Sequence, residues 1–192
     1  MYAKSAITIS NILDAAQALF TAKNFADVTM ADIAEVADVT KGALYHHFAS
    51  KEELYLTMMH RYLEKIEALM ETAVAQDGTC RERLRAFTLT FLRLPPAEQD
   101  VMRLVRRDVN IFKGAEREQL IRAYQKALPE RAEAIIRDGV RTGEVVGDPR
   151  LLAWEHVASV EVVLTPYARS LLGGAEEIAD FVIKLLFDGV AA

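Results

Sequence analysis

Cysteine is almost absent. Cys80 is the only one, which excludes a disulfide framework and any zinc cluster built on thiolates. Proline and glycine are scarce, five and nine in 192 residues, and they fall mostly between long periodic stretches. The apolar run 157–164 is interrupted by Ser159 and Glu161, so no membrane span is expected. The opening MYAKSAITIS contains no signal-peptide core, and a soluble, cytoplasmic product is expected. A surplus of positive charge is also missing: 23 Lys and Arg stand against 28 Asp and Glu, net −5, which rules out a uniformly basic coat for nucleic acid. What remains is 52% hydrophobic and 27% charged, the balance of a chain that buries a core.

The charge is distributed unevenly. Residues 81–141 carry a net +5, while 52–80 carry −4 and 142–192 carry −5. A basic middle section is flanked by acidic ones.

Apolar residues recur at the helical period along nearly the whole chain. Ile12, Leu13, Ala16, Leu19 and Phe20 share one face of a first helix, and Asn24 follows as a residue that tolerates the left-handed backbone ending helices. Thr29 with Asp32, Ser50 with Glu53, and Thr79 with Glu82 have the spacing of capping boxes. Further helices are expected over 51–75, 81–94, 97–112, 116–142, 149–172 and 176–188. Pro129 should kink or break one of these and Pro166 should bend another. The expected fold class is all-α with about nine helices: an N-terminal three-helix helix-turn-helix domain over 1–50, then a helical effector-binding and dimerisation domain over 51–192.

The stretch 29–51 is the most informative. Two short helices are joined by a tight turn, with small Ala34 where they would cross and Val39 and Leu44 plugging the junction. This is the spacing of a helix-turn-helix. The second short helix exposes Thr40, Lys41, Gly42, Tyr45 and His46. Their hydroxyl, ammonium, phenol and imidazole groups suit base edges and phosphate oxygens. From Val39 to Lys51 there are two lysines, two histidines and no acid, so the local field is positive.

The block VTKGALYHHFASKEEL, preceded by TMADIAEVADVT and ILDAAQALFTAKNF, resembles the N-terminal DNA-binding domain of the TetR family of transcriptional regulators. The resemblance covers roughly the first 55 residues. It implies that Thr29 caps the second helix and touches a phosphate. Thr40, Lys41 and Gly42 would lie over base edges in the major groove, and Tyr45 and His46 would reach the backbone or, for His46, a base edge. Lys51 would hold a phosphate at the start of the fourth helix. Asn24 and Asp38 stand where the family usually has glycine, and both are expected to adopt its left-handed backbone. The N-terminal arm carries only Lys4, so no minor-groove reading by an arm is expected.

The last two expected helices are apolar around most of their circumference, from Leu151 to Leu164 and from Ile178 to Phe187. One chain can hide one broad face of each. The surplus points to a homodimer through a four-helix bundle, against the alternative of a monomer whose terminal helices are core. Such a dimer would read a palindromic operator in double-stranded DNA. A pocket in the middle helices has candidate walls at Phe87, Phe91, Met102, Val105, Arg106, Val109, Phe112, Tyr124 and Trp154. Arg81, Arg83, Arg85, Arg103, Arg106 and Arg107 either pair with nearby acids on a solvated face or form a cationic mouth for an amphiphilic anion such as an acyl-CoA.

The expected partners are therefore DNA, a second copy and a small hydrophobic effector whose binding releases DNA, with no membrane. No cofactor, metal site or catalytic residue is expected: His46, His47, His60 and His156 lack metal-ligand spacing, and there is no nucleophile elbow or phosphate-binding glycine loop. Cys80, beside a helix start, reads as an inert or mildly reactive thiol. An enzyme and a protein-binding helical adaptor are the rival classes.

Overall fold

The computed structural model describes residues 2–189, with side chains from residue 6 onward; Lys4 lies outside the described side chains. Every regular element among these residues is helical. The order is α1 (Tyr2–Ala22), α2 (Met30–Val36), α3 (Lys41–His47), α4 (Lys51–Val74), α5 (Cys80–Leu92), α6 (Pro96–Asp108), α7 (Gly114–Ala127), α8 (Pro129–Thr142), α9 (Pro149–Val163), α10 (Pro166–Leu172) and α11 (Ala175–Asp188). Short 3-10 turns occupy Phe25–Asp27 and Val109–Ile111.

The all-α class stands, but eleven α-helices replace the expected nine. Two prolines account for the difference. Pro129 breaks the expected 116–142 helix, one of the two outcomes read for it, and Pro166 restarts the expected 149–172 helix instead of bending it; each proline occupies the first turn of the new helix. A proline lacks the N–H that a helix interior requires, whereas a first turn has no partner for it. At the second break the Thr165 side chain accepts from Ala168 N, so α10 is capped as an independent element.

Packing divides the chain into two compact units, Met1–Leu63 with Pro96–Ile121, and Glu64–Pro95 with Arg122–Ala192. In the first, Ile12, Ala16 and Phe20 of α1, Ile33 of α2, Leu44 of α3 and Leu54 and Met58 of α4 are fully buried. An aromatic cluster closes this core: the Tyr55 ring centroid lies 4.8 Å from Phe20, 5.3 Å from Phe25 and 5.5 Å from Phe112. Helix α6 packs on α1 here, and its last residue is anchored. Buried Asp108 accepts from Tyr55 Oη at 2.8 Å and from Arg107 Nε and Nη2 at 2.8 and 2.7 Å. The same Arg107 Nη2 donates to the carbonyls of Phe20 and Lys23 at 3.1 and 3.3 Å, capping the C-terminal end of α1 with a cation.

In the second unit α8 runs along α9, and α5 packs on α8 and α11. Leu84, Phe87, Ile135, Ile136, Ala153, Val157, Ile178 and Val182 form its core. One polar pair is buried in it: His156 Nε2 lies 2.9 Å from Thr88 Oγ1, and that hydroxyl donates to the Leu84 carbonyl at 2.8 Å.

Candidate nucleic-acid interface

The helix-turn-helix is built by local caps. The Thr29 hydroxyl accepts from Asp32 N at 3.1 Å while Asp32 Oδ2 accepts from Thr29 N at 2.8 Å, a complete capping box that fixes where α2 begins. The Thr29 backbone N–H, helped by the Thr29 side chain, holds the Asp32 carboxyl below the usual carboxylate range. Thr40 caps α3 by accepting from Ala43 N at 3.1 Å. Between the helices the chain turns at Asp38, whose φ of 53° is the only positive value for a non-glycine residue among the described ones. An aspartate tolerates this left-handed region better than a bulky residue does. Ala34 and Leu44 are buried at the junction, where a larger side chain at 34 would push α3 away.

The consequence is one exposed face. Thr40, Lys41, Gly42, Tyr45 and His46 are all exposed, as is Thr29. Tyr45 is 47% exposed, with Lys41 Nζ 6.0 Å from its ring centroid. A Cβ built on Gly42 would meet nothing within 4 Å, so this start of α3 is open to close approach. His47 is half-buried beneath His46, their rings 5.2 Å apart.

Two residues are placed differently from expectation. Asn24 is extended, φ −69° and ψ 155°, not left-handed. Its side-chain amide donates to Asp27 Oδ2 at 3.1 Å and its carbonyl accepts from Asp27 N at 3.0 Å, so the chain leaves α1 through a 3-10 turn. Lys51 does not hold its ammonium out toward solvent. Nζ donates to the Phe25 and Val28 carbonyls at 2.7 and 2.8 Å and sits 4.3 Å from the Phe25 ring centroid. Its hydrogen bonds tie the loop before α2 to the start of α4. Ser50 caps α4 by accepting from Glu53 N at 3.1 Å, but the Glu53 carboxylate reaches back to Ala49 N at 2.8 Å, one residue earlier than the expected box.

Of the candidate effector residues, Phe87, Phe91 and Tyr124 are buried in the second unit and Met102 and Val105 in the first. Val109 is half-buried and Arg106 exposed. Trp154, 36% exposed, lines a cavity of about 400 Å³ together with Arg131, Arg137 and Arg150, none of which the sequence had singled out. The expected arginines are paired instead. Arg85 reaches Asp180 at 2.6 Å and Glu176 at 2.9 Å, Arg83 reaches Asp138 at 2.9 Å, Arg81 binds Asp188, and Arg103 pairs with Asp100 at 2.7 Å. Cys80 is buried, its thiol donating to the Ile135 carbonyl at 3.6 Å. Burial pushes the thiol up to about 11, so it is an inert group, not a reactive one.

Exposed apolar side chains concentrate on the last three helices. Leu151 and Val162 on α9 are 70% and 65% exposed, and Tyr167, Leu171 and Phe181 continue the patch on α10 and α11. Leu151, Ala158 and Val162 fall on one stripe of α9 at spacings of seven and four. No described helix is long and apolar enough to cross a membrane.

A capped helix-turn-helix that presents hydroxyl, ammonium, phenol and imidazole groups on one face, at the head of an all-helical chain, defines a DNA-binding regulator. Residues 12–58 match the family model described as bacterial regulatory proteins, tetR family, and residues 77–190 match the tetracyclin repressor-like C-terminal domain. The chain belongs to the tetR family of transcriptional regulators. It is similar to the HTH-type transcriptional repressor KstR2 of Rhodococcus jostii, 24% identical over 95% of this chain and 91% of that one. Among solved structures it shares its fold with AibR, in complex with isovaleryl coenzyme A and operator DNA, at a TM-score of 0.79 and 23% identity, over 94% of this chain and 98% of that one. The regulator FadR from Bacillus subtilis, in complex with stearoyl-CoA, superimposes with a TM-score of 0.78 at 19% identity, over 95% of this chain and 99% of that one.

Proposed function

We propose that this protein is a cytoplasmic repressor that leaves its operator when it binds a small hydrophobic effector, an acyl-CoA being the favoured class. It has no catalytic role in this reading. The observation that carries the DNA-binding half is the exposed α3 face, where five functional side positions cluster at a capped helix start. Thr40, Lys41 and Gly42 lie over base edges; Thr29, Tyr45 and His46 contact the backbone or, for His46, a base. Lys51 acts by securing the loop before α2, and α4 offers its N-terminal end to a phosphate. Residues 1–50 read DNA, and 51–192 bind the effector and dimerise.

The apolar patch on α9–α11 supports pairing with a second copy, and a two-fold dimer suits a palindromic operator. Phe87, Phe91, Met102, Val105, Arg106, Val109, Tyr124 and Trp154 are the effector candidates. The acyl-CoA class rests on the two proteins of the same fold that hold coenzyme A thioesters. The effector releases DNA only if it prefers the arrangement of α4 in which the two α3 helices no longer match the groove spacing.

Fluorescence anisotropy on DNA from the gene's own upstream region, at two salt concentrations, tests this. Two chains per site with a steep salt dependence are expected. Lys41→Ala and Tyr45→Ala should each weaken binding about tenfold or more, and stearoyl-CoA or isovaleryl-CoA should release the DNA. Binding no tighter than to random DNA, at that site and in a genome-wide selection of bound fragments, would overturn the reading.

A further inference from the structure

The cavity beside Trp154 has a chemistry of its own. It is lined by Gln125 of α7, Pro129, Glu130, Arg131, Glu133 and Arg137 of α8, and Arg150 and Trp154 of α9, all within the second unit. At about 400 Å³ it falls within the roughly 300–1,000 Å³ of small-molecule sites. Four features select a ligand.

The first is a flat apolar wall. Trp154 is part-exposed and backed by the buried Tyr124 ring, with centroids 6.0 Å apart. Tyr124 is in turn held by its hydroxyl donating to Glu161 Oε1 at 2.9 Å. An indole fixed from behind and open in front is a stacking platform for a planar ring. The second is Arg150, exposed at the start of α9 and engaged with no acceptor among the described residues. The third is a pair of arginines whose charges are only partly spent. Arg137 pairs with Glu133. Arg131 reaches Glu67 at 2.6 Å, yet its Nε is buried without an acceptor. The fourth is Glu130, an exposed carboxylate with no partner among the described residues, which accepts from amino or hydroxyl groups.

A platform for a ring, guanidinium groups for an anion and a carboxylate for N–H or O–H donors together describe an adenine nucleotide. We infer that this cavity seats the adenine nucleotide end of the effector, the phosphorylated ADP portion of a coenzyme A thioester. The inference rests on the acyl-CoA reading above and assigns that reading a binding determinant outside the arginines of α5 and α6. Trp154 lies about 60° around α9 from Leu151, at the margin of the exposed apolar stripe.

Trp154 is the only tryptophan in the chain and serves as the reporter. The intact protein is titrated with 3′,5′-ADP, coenzyme A, ATP and pantetheine, reading tryptophan fluorescence and calorimetric heat. The expected result is quenching by 3′,5′-ADP and coenzyme A, none by pantetheine, and about tenfold weaker calorimetric binding of coenzyme A in Arg150→Glu and in Trp154→Leu. A Trp154→Phe variant should retain most of the affinity, and light scattering confirms that each variant keeps the parent mass.

ATP binding as well as 3′,5′-ADP identifies a free nucleotide as the ligand and overturns the coenzyme A assignment. If acyl-CoA releases DNA from the parent protein and from Arg150→Glu at equal concentrations, the inference falls and the acyl-CoA reading stands. If 3′,5′-ADP binds with the expected losses while no acyl-CoA releases DNA, the nucleotide site stands and the acyl-CoA reading falls.

Discussion

Gly139 of α8 lies face to face with Cys80 at the start of α5: a Cβ on Gly139 would stand 2.5 Å from the Cys80 sulfur and 2.6 Å from its Cβ. The missing side chain is what lets α5 settle on α8, with Cys80 N donating to Glu144 Oε2 at 2.7 Å across the same joint. Gly139→Ala should therefore destabilise the fold by about 1–3 kcal/mol through overpacking, although alanine is the better helix former. Thermal unfolding checks it. Adding Cys80→Gly should recover part of the loss, and a Gly139→Ala protein as stable as the parent would contradict the contact.

Lys51 distinguishes two roles by two readouts. Its ammonium binds the Phe25 and Val28 carbonyls, so Lys51→Met should leave those acceptors unmet and cost about 1–3 kcal/mol of stability. If the side chain also neutralised a phosphate, the slope of log affinity against log salt would fall by about one. The expected outcome is a lower melting temperature with an unchanged slope, the affinity being measured at a temperature where the variant remains folded.

His156 sets an acid limit. Full burial with no neighbouring counter-charge lowers its pKa from 6.5 to about 4, because the interior disfavours the imidazolium. The neutral form is native, so its contribution is complete above 6.5 and is lost as pH falls from 6.5 toward 4, where the unfolded chain takes up a proton that the folded chain refuses. The loss amounts to about 3 kcal/mol. His156→Gln retains an amide N–H for Thr88 and removes the titration. Denaturant unfolding across pH 4–7 should show a flatter acid limb in this variant.

The apolar patch on α9–α11 predicts an assembly phenotype. Val162 is 65% exposed, so Val162→Asp should cost the isolated fold little. In a dimer it would place a charge in the seam. Light scattering should show the mass halved and operator affinity should collapse with it. A parent protein already monomeric in solution would remove the reason for the patch.

Features determined within a few residues were legible from the sequence. The capping boxes at Thr29 and Thr79 and the left-handed turn at Asp38 are contests between one side chain and the adjacent backbone. Asn24 misled because its conformation is decided by a bond to Asp27, not by its tolerance for positive φ. Pro129 and Pro166 announced a disturbance, yet whether a helix bends or restarts depends on capping groups and packing beyond the proline. The arginines of α5 were the hardest to read. Arg85 meets Asp180 and Glu176 some ninety residues further on, and no local pattern marks that pairing. The cavity beside Trp154 escaped for the same reason: Arg131, Arg137 and Arg150 converge only once α8 and α9 lie side by side.

The Arg107–Asp108–Tyr55 anchor bears on how such a regulator can be taken apart. A fragment ending at residue 63 would carry every α3 side chain, but it would lack the guanidinium on the α1 carbonyls, the carboxylate under Tyr55 and the Phe112 ring. The reading head is thus discontinuous in sequence: two separate stretches of gene encode one physical module. A chimaera that grafts this head onto a foreign sensor should keep its fold only when the 96–121 stretch travels with it. Recombination at the obvious seam after the helix-turn-helix would instead separate residues that must evolve together.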